Sequence, residues 1–239
     1  MLQTHARTNR VLIAWCALLT LVLAWRVPVG AAAPRVLSVD TLDVHRINLR
    51  EDDGTVRLII ASRDHFPGLI EHNREHPHPD RADAAGMIFY NDEGTENGGL
   101  IFGGSRSAAG TVSSFGHLSF DQYEQDQVVN LEQTEDAGQR YGGLTIADRP
   151  DEPIDFGLVD RLGKMPPAQR AAQLARLRAN GAFGQPRVFV GKDEQRDAEV
   201  VLRDARGRAR LRLRVTAAGA AVIEFLDERG RSVRTVSAP

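Results

Sequence analysis

A short pattern recurs along the chain and constrains the fold more than any other feature. With Φ for an apolar residue, it reads Φ-x-Φ-x-[acid or amide]-x-x-Gly, as in Met87-x-Phe89-x-Asn91-x-x-Gly94. Four complete copies and two copies without the glycine are present. The complete copies begin at Ile47, Met87, Val200 and Ile223, and the two others begin at Leu118 and Leu144.

The pattern has a direct physical interpretation as a strand followed by a tight turn. Apolar residues two positions apart lie on one face of a β-strand, and an acidic or amide side chain favours the first position of a type I turn. Glycine at the fourth position tolerates the left-handed conformation that reverses the chain. The acidic positions do not match the spacing of calcium-binding loops, so we interpret them as turn residues.

The copies extend through residues 34–239, and we predict a single all-β domain there. It consists of antiparallel hairpins arranged as a meander, a sandwich or a partly open barrel. A run rich in Ala, Leu, Gln and Arg over 166–180, with prolines at its start and glycine after its end, predicts one inserted amphipathic helix. We expect this helix to cover an open face or edge of the sheet.

Two segments depart from the strand pattern. Residues 63–84 contain three prolines and four of the seven histidines, which predicts a long surface loop. Residues 103–116 are rich in glycine, serine and alanine, which predicts a flexible connection between strands. This connection lacks the lysine and the strand-to-helix context of a phosphate loop, so we predict no nucleotide site and no cofactor.

The first forty residues predict export from the cytoplasm. A tail over 1–10 contains arginine and no acid, an unbroken apolar run covers 11–25, and the first carboxylate is Asp40. This asymmetry predicts a cytoplasmic N-terminus and an extracytoplasmic domain over 34–239. Residues 11–33 are either a signal anchor, with a hydrophobic helix in the lipid bilayer through 11–25, or a cleaved signal peptide.

The predicted location is therefore the cell envelope. An anchored chain would be held in the cytoplasmic membrane with its C-terminal domain outside, and a cleaved chain would be periplasmic or secreted. The only cysteine, Cys16, lies in the apolar run, so the exported part contains neither a disulfide nor a thiolate nucleophile. A formal net charge of −2 excludes a basic nucleic-acid-binding class, and we predict no nucleic-acid partner.

Three groups of polar residues are candidate sites. Asp121, Glu124 and Asp126 lie in one inter-strand turn and come closest to a carboxylate pair for general acid and base catalysis. Carboxylates in such turns are more often solvent-exposed turn residues, which is the interpretation we favour. We therefore assign no catalytic residue and keep this group as the alternative.

A second group consists of His72, His76 and His78 in the predicted loop. Imidazoles brought together in a loop can bind zinc, copper or nickel. Their spacing matches no established zinc motif, and a loop with prolines does not preorganise ligands. We favour a solvated loop without a metal.

A third group lies on the strand RARLRLRV, where alternate residues are arginine. Four guanidinium groups on one face would form a ladder suited to an anionic envelope polymer. The favoured alternative is a solvated face neutralised by cross-strand acids such as Glu199 or Glu224. The arginines concerned are Arg208, Arg210, Arg212 and Arg214.

Two longer motifs point to a family. The stretch AGMIFYNDEGTENGGLIFGG, followed by LSFDQYEQDQVV, resembles the signature of small bacterial proteins with an N-terminal hydrophobic segment. The resemblance covers about residues 40–152 and implies a bacterial envelope setting. That family has no established activity, cofactor or structure, so the resemblance implies no functional residue.

Two functions remain open from the sequence. The first is a non-enzymatic binding or structural β domain of the envelope, in contact with an anionic polymer or another envelope protein. The absence of a nucleophile with its base and orienting group favours this function, and the enzyme question leans towards no. The second is an envelope glycan hydrolase that uses the carboxylates between Asp121 and Asp126.

Overall fold

The computed structural model describes residues 14–20, 36–78 and 81–237. Its contacts divide the chain into two compact units, Met1–Asp43 and Val44–Pro239. In the first unit, residues 14–20 are helical, and the remainder of the hydrophobic helix predicted over 11–25 falls outside the described residues. Within the described ranges, every helix is too short or too polar to cross a bilayer.

The second unit is built almost entirely from strands, which confirms the all-β prediction. In its described residues the strands are β1 (Arg46–Arg50), β2 (Val56–Ala61), β3 (Leu69–Glu71), β4 (Arg74–His76), β5 (Ala85–Tyr90), β6 (Glu96–Arg106), β7 (Val112–Asp121), β8 (Gln127–Asp136), β9 (Gln139–Asp148), β10 (Gln185–Lys192), β11 (Ala198–Arg203), β12 (Ala209–Val215), β13 (Ala221–Leu226) and β14 (Ser232–Ser237).

Twelve of these strands form one antiparallel sheet, and its strand order follows the chain. Only β3 and β4 leave this order, because they pair with each other as a separate hairpin between β2 and β5. Of the three arrangements that the sequence left open, the sheet is therefore a meander. Short turns join most neighbours, as expected for antiparallel strands that follow one another along the chain.

The recurring sequence pattern corresponds to hairpins. Each complete copy supplies one strand and the turn after it, and each turn closes with a bond from the glycine N–H to the first turn residue, such as Gly94 to Asn91 at 3.0 Å. The four glycines have positive φ, as the pattern predicts, with values between 71° and 93°. They are Gly54, Gly94, Gly207 and Gly230.

The pairing registers align the apolar pairs of the copies across the whole sheet. One row of directly paired residues contains an apolar side chain from every one of the twelve strands. It runs Ile47, Ile60, Met87, Leu100, Leu118, Leu131, Leu144, Val190, Val200, Leu213, Ile223 and Val236.

A second row lies beside the first on the same face, and we call the two rows together the apolar face. Its members are apolar except for Gly98 and Arg234. They are Leu49, Leu58, Phe89, Gly98, Phe120, Val129, Ile146, Val188, Leu202, Leu211, Phe225 and Arg234.

The opposite side of the sheet, which we call the polar face, carries a different composition. Towards the C-terminal end it presents Arg212, Arg214 and Glu224, and in the middle it presents Ser119 and Asn130. Burial is confined mainly to its N-terminal end, where Ile59 and Ile88 are almost fully enclosed. The small core of the domain therefore lies on one end of the polar face.

Residues 63–84 were expected to be a solvated surface loop, and this prediction is wrong for the part that the structure describes. The segment contains a short 3-10 helix, Arg63–His65, and the β3–β4 hairpin, whose Ile70 is buried against the sheet. Asn73, at the hairpin tip, accepts a bond from the Val56 N–H at 2.9 Å. The hairpin is ordered because it covers the apolar end of the polar face.

Residues 103–116 are not a flexible connection, because β6 extends to Arg106 and β7 begins at Val112. Glycine is required here by close contact rather than by flexibility. A Cβ atom on Gly103 would lie 2.5 Å from the Asp83 carbonyl oxygen and 2.6 Å from the Phe115 ring. The low β-propensity of glycine, serine and alanine led to the prediction of a loop. The strand contains these small residues because neighbouring groups lie too close for larger side chains.

Two helices separate β9 from β10. Helix α2, Pro167–Ala179, lies where the sequence predicted a helix, and Pro167 occupies its first turn. Helix α1, Phe156–Gly163, was not predicted; Asp155 caps it by accepting a bond from the Leu158 N–H at 2.9 Å. None of the residues of α2 is buried, so α2 does not cover the sheet as expected.

Candidate functional site

A small polar cavity lies where the β3–β4 hairpin meets the turn ends of β6, β7 and β8. Its volume is about 110 Å³. Charged and polar side chains from several segments line it together with a few apolar groups. The lining residues are Leu69, Ile70, His78, Arg81, Thr95, Glu96, Asp121, Glu124, Gln125, Asp126, Gln127, Ile154 and Phe156.

Two irregularities in the sheet bring the acidic groups to this cavity. The pairing register shifts between Phe89 and Tyr90, just before Tyr90 pairs with Glu96, and between Phe120 and Asp121. Such bulges twist a strand and redirect its side chains. Asp121 lies on the polar face by alternation with Ser119, and the first shift pairs Glu96 with the buried Tyr90, so both acids lie at the same end of the sheet.

Arg81 and Glu96 form the central ion pair of the cavity. The guanidinium bonds to Oε1 of Glu96 and also donates to the Gly68 carbonyl oxygen at 2.9 Å. Both side chains are largely buried, with exposed fractions of 14% and 13%. A buried pair with additional hydrogen bonds is a positional constraint, since losing either partner leaves an uncompensated charge.

Asp121 is the most perturbed carboxyl group of the site. Burial raises its pKa to about 7, with further contributions from the charges of Glu96 and Asp126, while Arg81 and Arg149 oppose the rise. Its Oδ1 atom is buried without a hydrogen-bond partner in the described part of the chain, and so is Oε2 of Glu96. Burial therefore favours the protonated form of Asp121.

The other two predicted carboxylates line the same cavity but are engaged by basic groups. Asp126 lies 3.2 Å from a guanidinium nitrogen of Arg149. Glu124 lies 3.7 Å from Nε2 of His72, and its backbone has a φ of 51°, a left-handed conformation that is uncommon outside glycine. The structure thus brings the three predicted carboxylates to one cavity and adds Glu96, which sequence reasoning missed.

The three predicted histidines are placed in different surroundings. His72 lies near Glu124 at the hairpin tip, His76 stacks on Phe156 with ring centroids 5.4 Å apart, and His78 lines the cavity. In the ranges 14–20, 36–78 and 81–237, no group of three or more His, Cys, Asp or Glu residues is arranged to hold a metal ion.

The predicted arginine ladder on β12 lies on the polar face, where each member has an acidic neighbour. Arg212 lies 3.4 Å from Glu199 and 3.7 Å from Glu224, and Arg214 lies 3.4 Å from Asp197. At the start of the strand, Arg208 bridges Asp204 at 2.8 Å and Glu228 at 2.9 Å, and Arg210 lies 3.8 Å from Asp204. These guanidinium groups form ion pairs with carboxylates of the sheet and its turns. Glu199 and Glu224, the two acids expected from the sequence, are among them.

The size of the cavity decides what it can do chemically. A volume of 110 Å³ holds about three or four water molecules at their liquid volume of roughly 30 Å³ each. Pockets that bind organic ligands usually measure about 300–1,000 Å³. The cavity can hold water or a small ion, and a sugar ring would require the β3–β4 hairpin to move.

The apolar face is the other candidate, and sequence reasoning did not identify it. Of its members, Leu131 is 52% exposed and Phe120 is 57% exposed, and none of the twenty-four positions except Gly98 is buried. The Φ-x-Φ pairs of the repeated pattern contained the necessary signal, because they repeat in all six copies. The alignment of these pairs into rows depends on register, which the pattern does not contain.

No protein-family model matches the chain, and no curated protein matches it significantly.

Proposed function

We propose that the protein is a non-enzymatic interaction domain of the bacterial cell envelope, and that the apolar face is its contact surface. One observation carries the proposal: two rows of residues, apolar except for Gly98 and Arg234, cross all twelve strands, and none of their side chains is buried by the described part of the chain. Antiparallel sheets normally bury one face and solvate the other. Large exposed apolar patches mark interaction sites on soluble domains.

The envelope setting is supported by the sequence. Three features favour export: the tail contains arginine, an apolar run covers 11–25, and the first acidic residue is Asp40. The similarity of the two long motifs to bacterial envelope proteins points the same way. We therefore place the sheet outside the cytoplasm, either anchored or released.

The proposal is tested by placing charge on the apolar face of the full-length chain in a bacterial host. The double variant Leu100→Lys/Leu131→Lys introduces two ammonium groups in the middle of the first row. Native electrophoresis of detergent-extracted envelopes should show the wild type in a complex larger than the 26.2 kDa chain and the double variant at the size of the chain.

The matched control is Ser113→Lys, which places the same charge on the exposed polar face of β7, the strand beside Leu131. It should leave the complex intact. Identical migration of the wild type and the double variant would contradict a contact role for the apolar face.

The alternative function, hydrolysis of an envelope glycan, has one observation in its favour. A pKa of about 7 suits Asp121 to general acid catalysis near neutral pH, with Glu124 and Asp126 beside it. The small cavity volume argues against it. We expect the purified full-length chain to release no reducing ends from peptidoglycan. Release that Asp121→Asn abolishes and Asp52→Asn preserves would favour the hydrolase instead.

A further inference from the structure

We infer that the partner of the apolar face is a second copy of this chain, packed face to face so that two sheets form a β-sandwich. The inference rests on the proposed function, because it names the partner of the same surface. Its evidence is the area, the composition and the relief of the two apolar rows.

The area of the apolar face matches a stable protein interface. Twelve strands about 4.8 Å apart give the rows a length of about 53 Å. Two rows about 7 Å apart, with the reach of their side chains, give a width of about 14 Å and hence about 700 Å². A stable interface buries about 800 Å² on each partner, so one second copy is enough to form it.

The composition of the face selects an apolar and equally long partner. The two rows contain no carboxylate and no amide side chain, and Arg234 is their one charged residue. Arg234 lies on the edge strand β14, with its guanidinium 5.8 Å from the centre of the Phe225 ring. A second copy has the same length and the same composition, so each row faces a row that is mainly apolar.

The relief of the face specifies how the two copies pair. The N-terminal half carries exposed rings, of which Phe89 and Phe120 lie in the second row and Phe102 lies in a third row, on the same side of the sheet and next to the first row. The C-terminal half forms an open apolar groove across β10 to β14, lined on this side by smaller aliphatic groups. These belong to the first row between Val190 and Val236 and, in the third row, are Ala198, Val215 and Ala221.

A two-fold axis parallel to the strands, between β8 and β9, places the N-terminal half of one copy over the C-terminal half of the other. Phe102 then faces Ala198 in the groove of the second copy, while Phe89 faces Leu211 and Phe120 faces Val188 beside the groove. Under this symmetry β7 faces β10 of the second copy, β6 faces β11 and β5 faces β12. Leu131 then faces Leu144 of the second copy across two sheets about 10 Å apart, and the two Leu131 positions lie close to the axis. The interface is isologous, as in most dimers.

The inference is tested by single-cysteine cross-linking of the full-length chain in a Cys16→Ser background. Leu131→Cys places a thiol beside the axis, and a short bis-maleimide should link two chains. Val236→Cys lies on the same row at the far edge, where the two copies of the residue are about 53 Å apart. It should give no dimer. Equal cross-linking of both variants, or none at Leu131→Cys, would overturn the inference.

A second measurement separates this inference from the proposed function. Light scattering of the purified full-length chain should give twice the monomer mass for the wild type and for Ser113→Lys, and the monomer mass for Leu100→Lys/Leu131→Lys. A monomeric wild type whose envelope complex still depends on the apolar face would refute pairing between copies and leave the contact role standing. A monomeric wild type without an envelope complex would refute both.

Discussion

At the scale of single residues, the structure shows which polar side chains are under electrostatic constraint. Asp121 was one of three turn carboxylates in a candidate group, and its burial beside Glu96 is what raises its pKa above that of an exposed aspartate. The arginines of β12 are paired with acids on neighbouring strands, as the favoured interpretation of the sequence expected. In both cases the chemistry of the side chain depends on residues that are distant in sequence.

The first prediction concerns the pH dependence of Asp121. Its folded-state pKa of about 7 lies above the unfolded value of about 3.9, so its favourable contribution is complete below about pH 4. That contribution is lost as the pH rises through about 7. Asp121→Asn, which stays neutral, should raise the free energy of unfolding at pH 8 by about 1–3 kcal/mol and change it little at pH 4.

Urea unfolding of the wild type and of Asp121→Asn at both pH values measures this difference. Asp52→Asn, in the exposed turn after β1, controls for the loss of a carboxylate. An Asp121→Asn variant that is less stable than the wild type at pH 8 would show that the ionised carboxylate is favoured in the folded state.

The second prediction compares two turn glycines. Gly54 and Gly94 both have positive φ, but a Cβ on Gly54 meets nothing within 4 Å, whereas one on Gly94 would lie 2.6 Å from the Asn73 side chain. Gly54→Ala should cost about 1 kcal/mol of unfolding free energy from backbone strain alone. Gly94→Ala should cost about 2–3 kcal/mol, since it also displaces the Asn73 contact with Val56.

Chemical denaturation of the two variants measures the comparison. Equal losses would show that Asn73 moves away without cost.

At the scale of elements, the β3–β4 hairpin contributes to both the core and the polar cavity. It closes the polar cavity, carries Ile70 into the core and contacts the turns after β1 and β5 through Asn73. Its short strands and prolines hid this role, because a two-stranded hairpin has little stability of its own and depends on the surface that it covers.

The third prediction tests this dependence. Ile70→Ala removes a side chain that is 4% exposed from the cluster with Ile59 and Ile88, and should lower the free energy of unfolding by about 2–4 kcal/mol. Val233→Ala, at a position 67% exposed on β14, serves as the control and should change it by less than about 0.5 kcal/mol. Thermal or urea unfolding provides both values, and similar losses in the two variants would show that the hairpin adds nothing to the core.

At the scale of the whole molecule, the second unit, Val44–Pro239, is a twelve-stranded sheet with a small core among its described residues. Most of the buried apolar groups lie under the β3–β4 hairpin, and the C-terminal strands add only single buried residues such as Val201 and Leu226. Hydrophobic burial is the main stabilising term in most folds. Under the proposed function, covering the apolar face with a partner would add apolar burial that the described residues of the sheet do not supply by themselves.

The fourth prediction concerns location and belongs to this scale. A reporter that is active only outside the cytoplasm, fused after Pro239, should be active, because the N-terminal charge asymmetry predicts export. The mass of the recovered chain then distinguishes a retained anchor from a cleaved signal. A reporter that works only in the cytoplasm, with the protein in the soluble fraction, would remove both export interpretations.

Short-range sequence preferences predicted the strands and turns of the repeated pattern and helix α2, but not the β3–β4 hairpin or helix α1. The Φ-x-Φ alternation, the turn acids and the positive-φ glycines specify strands and turns within about eight residues, and the prolines and glycine around 166–180 specify a helix. The register that aligns Leu100, Leu118 and Leu131 into one row depends on tertiary structure. The placement of Asp121 beside Arg81 and Glu96 depends on it as well. The reason is physical: turn and strand preferences act between near neighbours, whereas register, burial and charge pairing arise only when distant segments meet.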